Sequence, residues 1–284
     1  MYLFYTLGGG LGHLTRVLAF INTQCMDSSQ CVILSSQEIA HAIFPDSPCI
    51  ILPNHLKDSP KKLFEAIMEI IVFHKIRIVF MDTFPNGIIG EWSFLQNHKF
   101  EINYIARLLN WNNYKPLTEG HKINFQKTYI IEPLSEPHNN FITQHSKSVQ
   151  TFTIDYPKVP EDKEIVQKLL SIRKPMWLIA HSYPVDEVLQ LYDYAQDLAK
   201  VQNKNYSFVI ISSSPIEGIS SQVLQLNIFP AYPFFIYADR IFTGCGFNSM
   251  KQTETIKEKH SFIPFPRRFD DQFQRASIRR HSMN

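Results

Sequence analysis

Long apolar runs, cysteine pairs and a strong net charge are missing from this sequence, and each absence excludes a class of protein. No apolar run reaches the roughly 20 residues of a membrane-spanning helix. The four cysteines show no C-x-x-C spacing, which argues against a zinc site or a disulfide framework. No basic segment precedes the apolar start of the chain, so we do not expect a secretory signal. These absences predict a soluble, cytoplasmic protein.

The net charge of +2 is too small to indicate a nucleic-acid-binding protein. Basic residues nevertheless crowd the C-terminal end, and we interpret them as a solvated helix face. The second interpretation is contact with an anionic surface, either a phosphorylated ligand or the inner face of the membrane, as a peripheral protein. The residues concerned are Arg267, Arg268, Arg275, Arg279 and Arg280.

The 284 residues, of which 44% are hydrophobic and 19% charged, indicate a globular chain long enough for two domains. Apolar runs alternate with helical patterns in two series, which predicts parallel βαβ units. A polar segment at residues 132–160, containing several prolines, predicts the crossover between the series. We therefore predict an α/β protein of two Rossmann-like, doubly wound parallel-sheet domains, residues 1–155 and 156–284, facing a cleft.

The predicted strands lie at residues 1–6, 31–35, 49–52, 76–82, 102–106 and 128–131 in the first series, and at 176–180, 206–211, 225–229, 240–243 and 261–264 in the second. The clearest helical patterns lie at residues 60–74, 185–201 and 248–258.

A glycine-rich turn joins the first strand to a helix and carries a histidine. Residues 7–16 read L-G-G-G-L-G-H-L-T-R, with His13 where the helix begins. Glycines such as Gly10 and Gly12 allow a ligand to approach the backbone closely. The spacing does not match the G-x-G-x-x-G of a nicotinamide site. We predict a binding-site entrance at the carboxyl edge of the sheet, where open α/β sheets bind ligands; a structural role for His13 at the helix start is the alternative.

The second series repeats this pattern near its end. Residues 238–249 read A-D-R-I-F-T-G-C-G-F-N-S, a strand followed by two glycines and a helix beginning at Asn248 or Ser249. Free backbone N–H groups at such a helix start bind phosphate. Further along, Asp271 and Gln272 supply groups that bind sugar hydroxyls. Taken singly, each feature is more typical of a helix cap or a loop salt bridge; their order along the chain is what indicates a ligand site.

Charged residues near the strand ends of the first series are further candidates. Asp82 ends the fourth strand and is positioned to orient His13, although strand-end aspartates often only form turns. We assign Arg16, Glu91 and Arg107 to the acceptor side of the site, with surface salt bridges as the alternative for both arginines.

These two motifs together resemble GT-B glycosyltransferases. G-G-x-G-H near the N-terminus and A-D-x-x-x-T-G-x-G-x-N-S…P-F…D-Q-x-x-R-A near the C-terminus look like family 28, which includes the bacterial N-acetylglucosaminyltransferase of peptidoglycan synthesis. The resemblance covers both ends well and the middle poorly.

The resemblance implies a role for each matching residue. His13 corresponds to the histidine beside the reacting centre, and the donor diphosphate loop corresponds to Gly244, Gly246, Asn248 and Ser249. Asp271 and Gln272 correspond to the pair that contacts the donor sugar. Two positions depart from the pattern. Gln252 replaces the ribose-binding glutamate, and Ser182 lies in a loop that is glycine-rich in the family.

We therefore expect an enzyme that transfers a sugar from a nucleotide diphosphate, UDP for preference, to an acceptor hydroxyl. His13 acts as the base and Asp82 as its partner; Gly10, Gly12, Ser182 and the C-terminal residues bind the donor. No Asp-x-Asp motif is present, so we expect neither a metal nor another cofactor. The acceptor is expected to be lipid-linked or a small molecule. Two alternatives remain open: a nucleotide-sugar 2-epimerase on the same fold, and a non-catalytic nucleotide-sugar-binding protein.

Overall fold

In a computed structural model, which describes residues 1–8, 10–173 and 175–282, the chain forms two compact units. The first comprises Met1–Pro157 and Arg268–Asp271, and the second comprises Lys158–Arg267 and the residues from Gln272 onward. The sequence assigned everything after residue 155 to one C-terminal domain, and the short segment 268–271 departs from that assignment. Gly9 of the N-terminal motif lies outside the described residues. Within the described residues, no helix is long and apolar enough to cross a membrane.

A parallel sheet forms the centre of the first unit. Its strands run in the order β3-β2-β1-β4-β5-β6-β7. Because β1 pairs with β2 on one side and β4 on the other, the order reverses between β1 and β4. That reversal is the point at which open α/β sheets bind ligands. The strands are β1 (Tyr2–Tyr5), β2 (Cys31–Ser35), β3 (Cys49–Ile51), β4 (Ile78–Asp82), β5 (Glu101–Ala106), β6 (Lys127–Ile130) and β7 (Val149–Thr151).

Helices cover both faces of this sheet. One core includes Leu3, Tyr5 and Met81 of the strands together with residues of α3. Alternate residues of the same strands point to the other face, where the Phe4 and Phe80 rings stack with centroids 4.7 Å apart. The helices are α1 (Gly12–Thr23), α2 (Ala40–Ile43), α3 (Pro60–Phe73), α4 (Trp111–Tyr114) and α5 (Glu136–His145).

Local sequence explains where α3 begins and which of its faces is buried. The Ser59 side chain accepts a hydrogen bond from the backbone N–H of Lys62, which caps the helix, and Pro60 occupies the first turn, where its missing N–H costs nothing. Leu63, Ile67 and Ile71 follow at helical spacing and are buried.

The second unit repeats the architecture on a smaller scale. Its strands run in the order β10-β9-β8-β11-β12, so the order reverses between β8 and β11. The strands are β8 (Met176–Ala180), β9 (Ser207–Ile211), β10 (Leu224–Leu226), β11 (Arg240–Gly244) and β12 (His260–Ile263). The helices are α6 (Lys163–Ser171), α7 (Val185–Val201), α8 (Phe247–Gln252) and α9 (Gln272–His281). The predicted α/β class with two doubly wound parallel sheets is thus confirmed.

Two local predictions were wrong. The segment at residues 132–160 is not simply a crossover, because it contains α5 and β7, and β7 pairs with β6 in the first sheet. Its prolines suggested a linker, yet Pro137 lies in the first turn of α5, where proline is tolerated. The helix expected at residues 248–258 begins at Phe247 after the cap residue Gly246 and ends at Gln252; a 3₁₀ helix, Glu254–Lys259, follows.

Acid sensitivity follows from His138 of α5, which is fully buried and stacked on Trp111 with ring centroids 4.3 Å apart. Burial lowers the pKa of His138 to about 3. The unfolded chain binds a proton below a pKa of roughly 6.5, whereas the folded chain does not. The free energy of unfolding therefore falls as pH drops below that value, by up to about 1.4 kcal/mol per pH unit from this group.

We expect His138→Phe to reduce the loss of stability between pH 7 and pH 4.5, because the ring stack is kept and the titrating group is removed. Urea unfolding followed by tryptophan fluorescence at both pH values measures this loss. The exposed His41 supplies the control His41→Phe, which should leave the pH dependence as in wild type. An unchanged slope in His138→Phe would contradict the assignment.

Candidate functional site

The strand reversal of the first sheet brings the predicted base and its partner together. His13 lies at the start of α1, just after β1, and Asp82 is the last residue of β4. Nδ1 of His13 lies 2.6 Å from Oδ2 of Asp82. His13 is 6% exposed and Asp82 is fully buried. Because an ionised carboxylate only accepts hydrogen bonds, Nδ1 of His13 carries the proton.

The other ring nitrogen of His13, Nε2, has a lone pair in this tautomer. Among the described residues it makes no protein hydrogen bond. Nδ1 also lies 3.2 Å from a guanidinium nitrogen of Arg16, but both atoms are donors, so this contact is not a hydrogen bond. The two atoms lie close together because both bond to the Asp82 carboxylate. Burial lowers the pKa of His13, and Asp82 opposes that effect only in part. The imidazole is therefore neutral at pH 7 and can accept a proton at Nε2.

Gly8 leaves the space that the imidazole fills. A Cβ atom on this residue would lie 2.2 Å from Nε2 of His13, closer than any real contact of that kind. The lack of a side chain at Gly8 therefore lets the His13 ring lie against the backbone. Gly10 and Gly12 are exposed, and Gly10 has a φ of +75°, which glycine adopts without strain.

A buried arginine fixes the Asp82 carboxylate. Nε of Arg16 lies 2.7 Å from Oδ1, and a terminal nitrogen lies 2.7 Å from Oδ2, so the contact is bidentate. The same terminal nitrogen donates to Oγ1 of Thr83 at 2.6 Å. Desolvation would raise the pKa of Asp82, but Arg16 and then His13 hold it well below its usual range. Asp82 is therefore a buried anion at neutral pH.

Arg107 follows β5 and approaches the same group of residues. Its Nε donates to Oγ1 of Thr83 at 3.1 Å, and its NH1 donates to Asp270. Both Arg16 and Arg107 are buried and bonded to protein groups. Their assignment to the acceptor side stays a prediction, and the contacts give both a role in holding Asp82 and Thr83.

Glu91 lies in the core of the first unit. Its carboxylate accepts hydrogen bonds from the Tyr5 hydroxyl and from the backbone N–H of Ile89, the latter at 3.0 Å. The side chain is fully buried, and burial raises its pKa. An acceptor-side role for Glu91 stays a prediction, and its burial disfavours that role.

In the second unit, the predicted diphosphate loop lies at the carboxyl end of β11. Gly244 ends this strand, Gly246 caps α8, and Asn248 and Ser249 lie in the first turn of that helix. Gly246, Asn248 and Ser249 are partly exposed. The structure thus groups these four residues at the strand reversal between β8 and β11.

Sequence reasoning missed a histidine at the same place. His181 directly follows β8, and its Nε2 lies 2.8 Å from Oε2 of Glu187 in the first turn of α7. Glu187 in turn accepts two hydrogen bonds from Arg267. Cε1 and Nδ1 of the ring lie toward Gly244: a Cβ there would lie 3.2 Å from Cε1 and 3.4 Å from Nδ1. The signal was a strand, a histidine and then a helix, the same order as at His13.

The remaining predicted donor residues have different surroundings. Oε1 of Gln272 accepts hydrogen bonds from the backbone N–H groups of Cys245 and Phe265, both at 3.1 Å, so this buried amide joins the loops after β11 and β12. Gln252 is the last residue of α8 and is partly exposed, and Ser182 is exposed beside His181. Asp271 is partly exposed and belongs to the first unit. Donor-binding roles for these residues stay predictions.

No group of three or more His, Cys, Asp or Glu side chains is arranged to hold a metal ion within the part of the chain that the structure describes.

Comparison of the sequence with protein-family models and with curated proteins gave no match. Solved structures do match. Spinosyn forosaminyltransferase SpnP is 9% identical with a TM-score of 0.60, covering 98% of this chain and 82% of that one. Phytolacca americana UGT2, solved with UDP-2-fluoro-glucose and pterostilbene, is 11% identical with a TM-score of 0.56, covering 98% and 82%. UDP-N-acetylglucosamine 2-epimerase from Rickettsia bellii is 11% identical with a TM-score of 0.52, covering 91% and 76%.

These similarities show the fold. The chain has the GT-B fold, with two Rossmann-like domains, that glycosyltransferases such as the spinosyn enzymes share. The predicted GT-B architecture is therefore confirmed.

The contact between Gly8 and His13 can be tested directly. We expect Gly8→Ala to displace the imidazole from Asp82, because the new methyl group would overlap the ring, and to destabilise the protein by about 1–3 kcal/mol. A crystal structure of the variant measures the Nδ1–Oδ2 distance. Gly246→Ala is the control, since a Cβ there meets no atom within 4 Å. An intact His13–Asp82 hydrogen bond in Gly8→Ala would rule out the proposed packing.

Proposed function

We propose that this protein is a glycosyltransferase that moves a sugar from a nucleotide diphosphate, UDP for preference, to an acceptor hydroxyl. The observation that carries this proposal is the buried His13–Asp82 pair at the strand reversal of the first sheet, with a distance of 2.6 Å between Nδ1 and Oδ2. Such a pair keeps one ring nitrogen protonated and the other basic, which is what removal of a hydroxyl proton requires. The GT-B fold and the family 28 resemblance of the two motifs support the same activity.

The proposed chemistry is a displacement at the anomeric carbon. The acceptor oxygen forms the new glycosidic bond while the bond between the anomeric carbon and the diphosphate oxygen breaks. The hydroxyl proton passes to Nε2 of His13, and the electron pair of the broken bond leaves with the nucleoside diphosphate. Asp82 stabilises the resulting imidazolium through its hydrogen bond to Nδ1. Arg16 keeps that carboxylate ionised and in place.

On the donor side, we propose that the loop from Gly244 to Ser249 binds the diphosphate of the donor. Backbone N–H groups after a strand suit an anion because they donate hydrogen bonds without a side chain. His181 adds an imidazole at the same strand reversal, held by Glu187. We assign Gln252 to the ribose and Asp271 to the donor sugar, following the resemblance. Gln272 supports the loop through its bonds to Cys245 and Phe265.

We propose that the acceptor binds to the first unit near His13. We propose a lipid-linked compound or a small molecule as this acceptor. Neither a metal nor a cofactor is part of the proposal, because the imidazole and the diphosphate loop supply the proton acceptor and the anion site.

Release of UDP from candidate UDP-sugars, with and without acceptor hydroxyl compounds, tests the activity. We expect His13→Ala to lower kcat by about 10²–10⁴-fold, since the general base is lost. Asp82→Asn should also lower kcat, because the tautomer of His13 is no longer fixed. The matched control is His41→Ala, which removes an exposed histidine of the same unit and should retain wild-type turnover. Equal turnover in wild type and His13→Ala would reject the proposed base.

The same assay separates the alternatives. A free sugar isomer formed without any acceptor would indicate a 2-epimerase, whose fold is also similar. Binding of UDP by calorimetry without transfer to any acceptor would indicate a nucleotide-sugar-binding protein. Either result would replace transfer as the function.

A second test concerns His181. Nε2 donates to Glu187, so Nδ1 can donate to a phosphate oxygen only when the ring carries a second proton. Burial lowers the pKa of His181, against the opposing effect of Glu187, so the free protein holds this ring neutral at pH 7. We therefore expect UDP binding to take up about one proton and to weaken as pH rises.

Calorimetry in buffers of different ionisation enthalpy measures the proton uptake. His181→Asn should abolish it, whereas His281→Asn, which alters an exposed histidine of the same unit, should not. Full proton uptake in His181→Asn would exclude a contact between this ring and the diphosphate.

A further inference from the structure

The segment Arg268–Asp271 is bound tightly into the first unit. The backbone N–H of Asn110 donates to the carbonyl of Phe269 at 2.8 Å, and the Asn113 side chain donates to the carbonyl of Arg268 at 2.9 Å. Asp270 forms an antiparallel bridge with Leu109 and a salt bridge with Arg107. The salt-bridged side chains of Asp270 and Arg107 are 16% and 7% exposed, so water screens the pair little.

A continuous set of hydrogen bonds leads from Asp270 to His13. Arg107 bonds to Asp270 and to Oγ1 of Thr83, and Arg16 bonds to the same Oγ1 and to both oxygens of Asp82. Asp82 then holds Nδ1 of His13. Thr83 has a φ of +73°, a conformation that β-branched residues rarely adopt, so the surrounding bonds fix its hydroxyl at a cost in backbone strain.

A second route through aromatic contacts leads to the same ring. The Phe269 ring lies 5.7 Å from that of Phe84 and 5.4 Å from that of Tyr114, measured between centroids. Phe84 in turn lies 5.4 Å from the His13 ring. The segment thus supports His13 by a polar and an apolar path.

The polar path contains two ion pairs. Two buried guanidinium groups, those of Arg16 and Arg107, face two carboxylates, those of Asp82 and Asp270. Asp270 offsets part of the positive charge of Arg107 through their salt bridge. Without the Asp270 carboxylate, the charge of Arg107 would disfavour protonated His13 more strongly, and Arg107 would be drawn toward the Asp82 carboxylate.

We propose that Asp270 is a positioning residue for His13: by neutralising Arg107, it preserves the basicity of the imidazole and its alignment on Asp82. The proposal rests on the proposed function insofar as His13 is the base. The segment Arg268–Asp271 would then have two roles. Asp270 would position His13, and the next residue, Asp271, is the predicted contact of the donor sugar.

NMR titration of His13 tests the coupling in the full-length protein without any substrate. The His13 signal is assigned by its loss in His13→Gln. We expect Asp270→Asn to move the midpoint of His13 to lower pH, because the Asp270 carboxylate no longer offsets the charge of Arg107 near the ring. Asp270→Glu should restore the wild-type midpoint, and Asp46→Asn, which removes an exposed carboxylate of the same unit, should leave it unchanged. An unchanged midpoint in Asp270→Asn would overturn the proposal.

The double variant Arg107→Gln, Asp270→Asn keeps the test decisive if Asp270→Asn does not fold. With both charges removed, the midpoint of the His13 titration should lie closer to the wild-type midpoint than the midpoint of Asp270→Asn does. If Asp270→Asn cannot be measured, the midpoint of the double variant should lie close to the wild-type midpoint. If the midpoint of the double variant is as low as that of Asp270→Asn, or far below the wild-type midpoint, Asp270 does not act on His13 through Arg107.

Activity provides the independent readout. We expect Asp270→Asn to lower kcat about tenfold through misalignment of the base, and to move the acid limb of the kcat/KM profile to lower pH with the NMR midpoint. A merely structural residue would lower activity without moving that limb, and this outcome would reject the proposal. If no donor supports transfer, the proposed function fails while the titration still decides the role of Asp270.

Discussion

A buried carboxylate at the end of β4 is the constraint on which the first unit depends. Asp82 is fully buried and ionised, a state that is unfavourable unless cations and donors surround the group. Arg16 supplies two hydrogen bonds and His13 a third. Arg16 is itself a buried charge, so each member of the set requires the others. The position of His13, the proposed base, is thus determined by the energetics of desolvated charge rather than by a flexible loop.

The two units hold a histidine at the strand reversal of their sheets in similar ways. Each sheet reverses its strand order beside its first strand, and each places a histidine just after that strand. In the first unit the imidazole bonds to Asp82, and in the second His181 bonds to Glu187. An arginine, Arg16 or Arg267, completes each set. The two units differ in the element that supplies the carboxylate: Asp82 belongs to a neighbouring strand, whereas Glu187 belongs to the helix that follows the histidine.

Topology and strand ends could be predicted from the sequence, because buried strands and glycine turns leave strong local patterns. Hence the sequence predicts that His13 and Asp82 lie at one edge of the sheet, and the structure shows the hydrogen bond between them. The contacts of Gln272 could not be predicted, because a polar residue at a helix start gives no sign that distant backbone N–H groups will bury it. The set around His181 could not be predicted, because Arg267, which bonds to its partner Glu187, lies 80 residues from that glutamate in the sequence. Pro137 was misinterpreted because proline marks helix starts as well as linkers.

The insertion of Arg268–Asp271 into the first unit has a consequence for biosynthesis. Phe269 packs among Phe84 and Tyr114, yet it is made more than 150 residues after them. Domains generally fold as units in order of synthesis, but the first unit remains incomplete until residues 268–271 have left the ribosome, after the second sheet has been made. In the nascent chain, Phe84 and Tyr114 therefore lack their contacts with the Phe269 ring until this segment has been made.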